Sequence, residues 1–543
     1  MRCSPRTRWA LILSGLTLPT TGVAAEPLHT RIDRLVAAGV RDYAKRAAPV
    51  AGDAEFLRRV YLDLAGHTPP AAEARAFLSD ADSGKRPKLI DRLLASPDYA
   101  RRMASYFDVV LMDRRRDVKV PRAGWEEFLR TAFAENRPYD RLVRELLSAD
   151  GSDPKTRVAA KFFLDRDLDP TTVTRDISRV FLGKNIQCAQ CHDHPLVDDY
   201  KQEHFYGIQA FFNRAFLFPN PQDAKAVIAE KADGEVQFTS VFDKSKAQKS
   251  TPPKMPGLKP VGDPKSEKGK EYKVAPAKDV RPVPAYSRFG QLAAALTHAE
   301  NAAFRRTAAN RLWALMIGRG LIHPLDADHS ANPASHPELL ALLADDFAAH
   351  TFDVKYLLRE IALSDTYQRT SEVPAAMTEI SPDRLLLATL KPLSPEQLAY
   401  SVLEATGAAD AERLALGKNL TDAALSAKLA GTVPPFRSMF GTRPGEPEEG
   451  FAATLDQTLF LKHGAAIRNL IARRNGNLLD RAAKLSDPAA VADELFLSVY
   501  TRRPTADEVR DVADALKTPG DRAQVLAEVI WAMVASAEFR FNH

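Results

Sequence analysis

Along most of the chain, apolar residues recur at spacings of three and four, the period of a helix that buries one face. Phe56, Leu57, Val60, Tyr61 and Leu64 set this pattern over residues 54–64, and Pro69-Pro70 opens a second amphipathic stretch through Leu78. The same period predicts helices over residues 88–94, 139–147, 176–182, 292–297, 338–347, 354–361, 395–406 and 490–500. Ser335 and Glu338 stand at capping-box spacing and predict a helix start capped by the Ser335 hydroxyl. Asn310-Arg311-Leu312-Trp313 followed by Gly318-Arg319-Gly320 predicts a helix closed by a glycine turn.

One segment breaks the pattern. Between about residues 216 and 285, Pro, Lys, Gly and Ser crowd together, and residues 235–242 alternate apolar and polar like a strand. The fold expected is mainly α: two helical domains, over residues 30–215 and 286–543, joined by a Lys/Pro-rich linker carrying a small β element. The charged run at 265–273 reads as a solvated loop within it.

Helical runs end three times on Ser-x-x-aromatic: Ser96 with Tyr99, Ser364 with Tyr367 and Ser536 with Phe539. Two stretches before these also correspond, Val60-Tyr61 with Pro69 and Glu73, and Val499-Tyr500 with Pro504 and Glu508. This weak repeat is expected to be a packing device, an aromatic folded back after a turn.

Composition narrows the function classes. A chain of 543 residues with 45% hydrophobic positions has material for sizeable cores, and three cysteines exclude a disulfide-stapled miniprotein. The formal charge is +5, and Arg2, Arg6 and Arg8 near the start supply three of those charges. That balance carries no call for a nucleic-acid partner. These arginines, an apolar run over residues 9–18 and Val23-Ala24-Ala25 read as a signal peptide over 1–25, cleaved after Ala25. Cys3 precedes the apolar run, so no lipobox is read, and no later window is apolar enough to span a bilayer. A periplasmic or secreted protein with two cysteines is expected.

Those two fall together in Cys188-Ala189-Gln190-Cys191-His192-Asp193-His194. C-x-x-C-H is the attachment signature of c-type haem. Two thiols at this spacing can form thioethers to the porphyrin vinyl groups, which places the next residue, His192, as proximal iron ligand. Export agrees, because covalent haem attachment takes place outside the cytoplasm. Two other readings compete: a zinc site using Cys188, Cys191, His194 and His204, and a disulfide between the two thiols. Thiol–disulfide exchange would need a thioredoxin-like setting that the helical surroundings do not offer. Candidates for a sixth iron ligand are His204, His298, Met103, Met112 and Met316. His323, Asp326, Asp328, His329 and His336 form a second cluster that invites a metal reading, although turns and caps around Pro324, Pro333 and Pro337 account for most of it. Arg311 and Arg319 are expected to pair within the fold rather than bind an anion. No hydrolase or P-loop motif is present.

Phe56-Leu-Arg-Arg-Val-Tyr-Leu-Asp-Leu-Ala-Gly66, Leu89-Ile-Asp-Arg-Leu-Leu-Ala-Ser-Pro-Asp-Tyr99 and the C-x-x-C-H segment through Pro195 resemble the planctomycete cytochrome-like family, domain-of-unknown-function family 1549. Asn310-Arg-Leu-Trp313, Gly318-Arg-Gly-Leu321, Asn332-Pro-Ala-Ser-His-Pro-Glu-Leu339 and Lys391-Pro-Leu-Ser-Pro-Glu-Gln-Leu398 resemble its usual C-terminal companion, family 1553. The resemblance runs from about residue 30 to 543 and implies an exported protein. Over residues 440–464 the family often carries a cysteine, whereas this chain has none. The functional expectation is a single-haem redox or electron-transfer protein whose partner is another exported cytochrome or a secreted enzyme. The alternative is a zinc- or disulfide-braced binding scaffold.

Overall fold

The computed structural model describes residues 26–220, 225–375, 377, 381–446 and 454–543. Residues 1–25, the expected signal peptide with Cys3, lie outside the described residues, as does part of the 440–464 stretch. The described chain is mainly helical, and each helical run read from the apolar period falls on a helix. The helix Tyr139–Ser148 shows why: Tyr139, Leu142, Val143, Leu146 and Leu147 line one face and are all buried. Each such side chain contributes about 1.5–3 kcal/mol of burial. No helix among the described residues is long and apolar enough to cross a membrane.

The Ser-x-x-aromatic motifs are three copies of one joint. In each, the serine Oγ accepts the backbone N–H of the aromatic residue at 3.2 Å and so caps a new helix. Tyr99, Tyr367 and Phe539 are buried. Ser335 behaves differently from expectation. Pro337 occupies the first turn of the helix Pro337–Ala349, so His336 takes the capping position without a side-chain bond and Ser335 sits one residue too early. The helix Ala302–Ile317 does end as expected, on Gly318 in the left-handed region (φ 91°).

Strands are short and antiparallel. The longest pairing joins Ala215–Pro219 to Ala226–Glu230, with Leu217 opposite Ile228. Within the alternating stretch at 235–242 only Gln237–Phe238 pairs, with Lys249–Ser250. Thus a small β element does lie between the two helical regions, and its main hairpin precedes the alternating stretch. The charged run at 265–273 is largely exposed, with Lys270 paired to Glu267.

Hydrophobic packing divides the chain elsewhere than at the linker. One core runs from Leu28 through Leu386, with Leu497 added from the C-terminal region, and includes helices on both sides of the linker; a second gathers residues from Leu398 to Phe539. Buried polar groups occupy their junction. Asp63 accepts from Lys391 Nζ, from the Tyr367 hydroxyl at 2.9 Å and from Asn542 Nδ2 at 2.9 Å. Nearby, Glu396 receives Arg114 at 2.8 Å and Arg437 at 2.7 Å. Burial alone would raise the Glu396 carboxyl, but these guanidinium groups outweigh it and hold it at about 2.

Candidate functional site

The C-x-x-C-H segment hangs from the helix Pro170–Leu182. Its Asp176 is fully buried and accepts from Arg166 (2.6 Å), Arg175 (2.8 Å) and Arg115 (3.2 Å), which fixes the helix in the first core. Gly183 ends it at φ 63°, where an added Cβ would lie 2.8 Å from Thr307 Oγ1 and 3.3 Å from the Leu325 carbonyl. The turn then runs against the 323–336 loop. Asn185 N–H donates to the Asp326 carbonyl at 2.8 Å, Asp328 N–H to the Gly183 carbonyl at 2.9 Å, and Lys184 Nζ to the Asp328 carbonyl at 2.6 Å.

Residues Gln187–Gln190 form one turn of 3₁₀ helix. Ile186 and Ala189 point into the core, while Cys188 and Cys191 are exposed free thiols. The Gln190 carbonyl accepts from the Tyr206 hydroxyl at 2.9 Å. The following residues are equally constrained. Gln202 N–H, at the start of the helix Gln202–Gln209, donates to the Asp193 carboxylate at 2.8 Å. His194 N–H donates to the Tyr200 carbonyl at 2.8 Å.

His192 is half-buried, and its Nδ1 lies 2.7 Å from the Asp193 carbonyl oxygen. A carbonyl only accepts, so Nδ1 carries the proton and Nε2 keeps its lone pair, the arrangement of a metal-ligating imidazole. The linker reaches this point too: Val241 N–H donates to the Cys191 carbonyl at 3.0 Å, and the Phe242 ring lies 4.8 Å from the His192 ring. Val241 and Phe242 expose 66% and 73% of their surface, so apolar area lies beside Cys191 and the imidazole. Two accessible thiols and an imidazole with Nδ1 held by a carbonyl are residue types that would suit attachment and ligation of a c-type haem.

The other sequence candidates are placed differently. His194 Nδ1 accepts the Leu196 N–H at 3.2 Å, and His204 Nδ1 donates to the Asp199 carbonyl at 2.9 Å. Among the described residues no three His, Cys, Asp or Glu side chains are grouped to hold a metal ion, so Cys188, Cys191, His194 and His204 are not gathered as a zinc set. The same holds for the 323–336 cluster, where Asp328 pairs with Arg306 at 3.1 Å and His329 stacks edge-on against Tyr200. Met103, Met112 and Met316 are buried in the first core, and His298 is exposed with its Nδ1 accepting the Glu300 N–H. Arg311 donates to the Arg179 and Val180 carbonyls, a pairing inside the fold. Burial pulls the Lys184 ammonium and His204 imidazole below their usual ranges and pushes the Tyr200 phenol up. Sequence reasoning missed Val241 and Phe242, whose approach to the site depends on tertiary backbone pairing.

Residues 31–216, which contain the C-x-x-C-H segment, match the family model PSCyt2, described as a protein of unknown function (DUF1549); residues 288–427 match PSD1, a protein of unknown function (DUF1553). The two matches stand in the N-to-C order expected from the sequence, DUF1549 first and DUF1553 second. Cys188, Cys191 and His192 are therefore PSCyt2 residues, the 323–336 loop that backs them is a PSD1 segment, and Val241 and Phe242 lie between the two matches. No curated protein and no solved structure matches the chain.

Proposed function

We propose that this PSCyt2–PSD1 chain is an exported, single-haem c-type redox or electron-transfer protein. Cys188 and Cys191 are the attachment thiols and His192 is the iron ligand. The observation that carries the reading is the 2.7 Å contact of His192 Nδ1 with the Asp193 carbonyl: a neutral imidazole that donates there keeps Nε2 as its ligating nitrogen. Asp193 holds this geometry twice, since its carboxylate also accepts the first N–H of the next helix. A bound haem c supplies one-electron chemistry. The chain's own residues present the thiols, orient the imidazole and set the apolar Val241 and Phe242 beside Cys191 and His192. The apolar leader over residues 1–25 supports export, and the partner is another exported cytochrome or a secreted enzyme.

The two exposed thiols one turn apart also favour a second reading, a scaffold braced by a disulfide or by zinc. One experiment separates them. The chain is produced in a periplasm that matures c-type haem, beside a control cytochrome, and its intact mass, absorbance and zinc content are measured. A haem-sized mass increase that survives denaturation and is lost in Cys188→Ala/Cys191→Ala is expected. A colourless chain beside a matured control overturns the haem reading, and zinc content then chooses between metal and disulfide.

A further inference from the structure

The linker, which neither family model covers, is laid across the C-x-x-C-H segment by three contacts. Phe238 stacks on Tyr206 with ring centroids 4.4 Å apart and planes within 4°. Gln202 Nε2 donates to the Thr239 carbonyl at 3.3 Å, and Val241 N–H donates to the Cys191 carbonyl. These anchors bring the Phe242 ring against the His192 imidazole at a 45° tilt. At 73% exposure the Phe242 side chain adds little to a core, and its ring contact in this part of the fold is with His192.

We propose that Phe242 is a positioning residue for His192: its ring sets the plane of the imidazole and, with Val241, forms an apolar flank beside a haem carried by Cys188 and Cys191. The proposal rests on the haem reading. Its physical basis is twofold. Axial-ligand orientation and the polarity around a haem are the levers by which a protein sets its potential. An apolar wall also excludes water and disfavours the additional positive charge of the ferric state, so it raises the potential.

The test compares wild type, Phe242→Ala and Phe242→Trp, each matured with haem, by intact mass, redox titration and electron paramagnetic resonance of the ferric form. Phe242 is exposed, so its truncation leaves the cores intact. The expected result is unchanged covalent haem in all three. Phe242→Ala shows a lower midpoint potential and altered ferric g-values, and Phe242→Trp returns both toward wild type. A Phe242→Ala protein with wild-type potential and g-values overturns this proposal while leaving the haem reading intact. A wild-type chain without added haem mass overturns both.

Discussion

Arg58 gives its Nη2 to the carbonyl oxygen of Phe539 at 2.8 Å, joining an N-terminal helix to the third Ser-x-x-aromatic joint. Its neighbour Arg59 makes the equivalent contact with the second joint, donating Nη1 to the Tyr367 carbonyl at 2.6 Å. Each guanidinium also lies 5.8 Å from the centre of the same aromatic ring. Adjacent arginines on the helix Asp53–Leu64 thus fasten two copies of one motif. Arg58 is fully buried and also donates to the Val499 and Glu538 carbonyls. Burial with carbonyl rather than carboxylate acceptors pulls its guanidinium to about 10. Arg58→Met therefore strands several carbonyls, and a loss of roughly 3 kcal/mol is expected. Urea unfolding of the full chain measures it, and a variant as stable as wild type would show the latch to be idle.

The three serine caps are geometrically equivalent, so their removal has comparable costs. Ser96→Ala, Ser364→Ala and Ser536→Ala are each expected to lower stability by about 1 kcal/mol. Calorimetry on the three variants checks this, and a near-zero effect at all three would remove the capping role.

His67 is buried, and its Nε2 lies 3.3 Å from the Asp98 carboxylate. Burial favours the neutral ring, but Asp98 outweighs it and raises the imidazole pKa above its usual value near 6.5. A raised folded-state pKa gives stability that is complete below the unfolded value and lost as pH rises through the folded one. Denaturant midpoints taken from pH 6 to 9 should fall with pH in wild type, and His67→Gln should flatten that part of the slope.

Gly183 holds the turn that aims the C-x-x-C-H segment. In Gly183→Ala the left-handed backbone costs about 1 kcal/mol, and the new methyl group meets Thr307 and the Leu325 carbonyl. A destabilisation greater than the 1 kcal/mol backbone effect is expected by thermal unfolding. Double substitution with Thr307→Ala should recover part of it by removing the crowding hydroxyl.

Local patterns in the sequence carried the helices, the repeated joint and the C-x-x-C-H segment, because each depends on residues within a few positions of one another. The hairpin at 215–230 was hidden by Pro219 and Pro221, which read as linker although Pro219 sits at the end of its strand. Ser335 misled because Pro337 moved the helix start by one residue. The shared core across the linker left no periodic trace. Neither did the Val241 bond to Cys191, since backbone pairing between distant segments is independent of side-chain type.

The order of synthesis gives the Arg58 latch a further meaning. A ribosome makes the arginine first and its acceptor carbonyls at Val499, Glu538 and Phe539 more than four hundred residues later. Until then the helix Asp53–Leu64 carries a cation that must stay hydrated, and Asp63 lacks its Asn542 donor. The final desolvated packing of the N-terminal region is thus deferred until residues 499–542 have been made, and a fragment ending at the second family match would display this face to water.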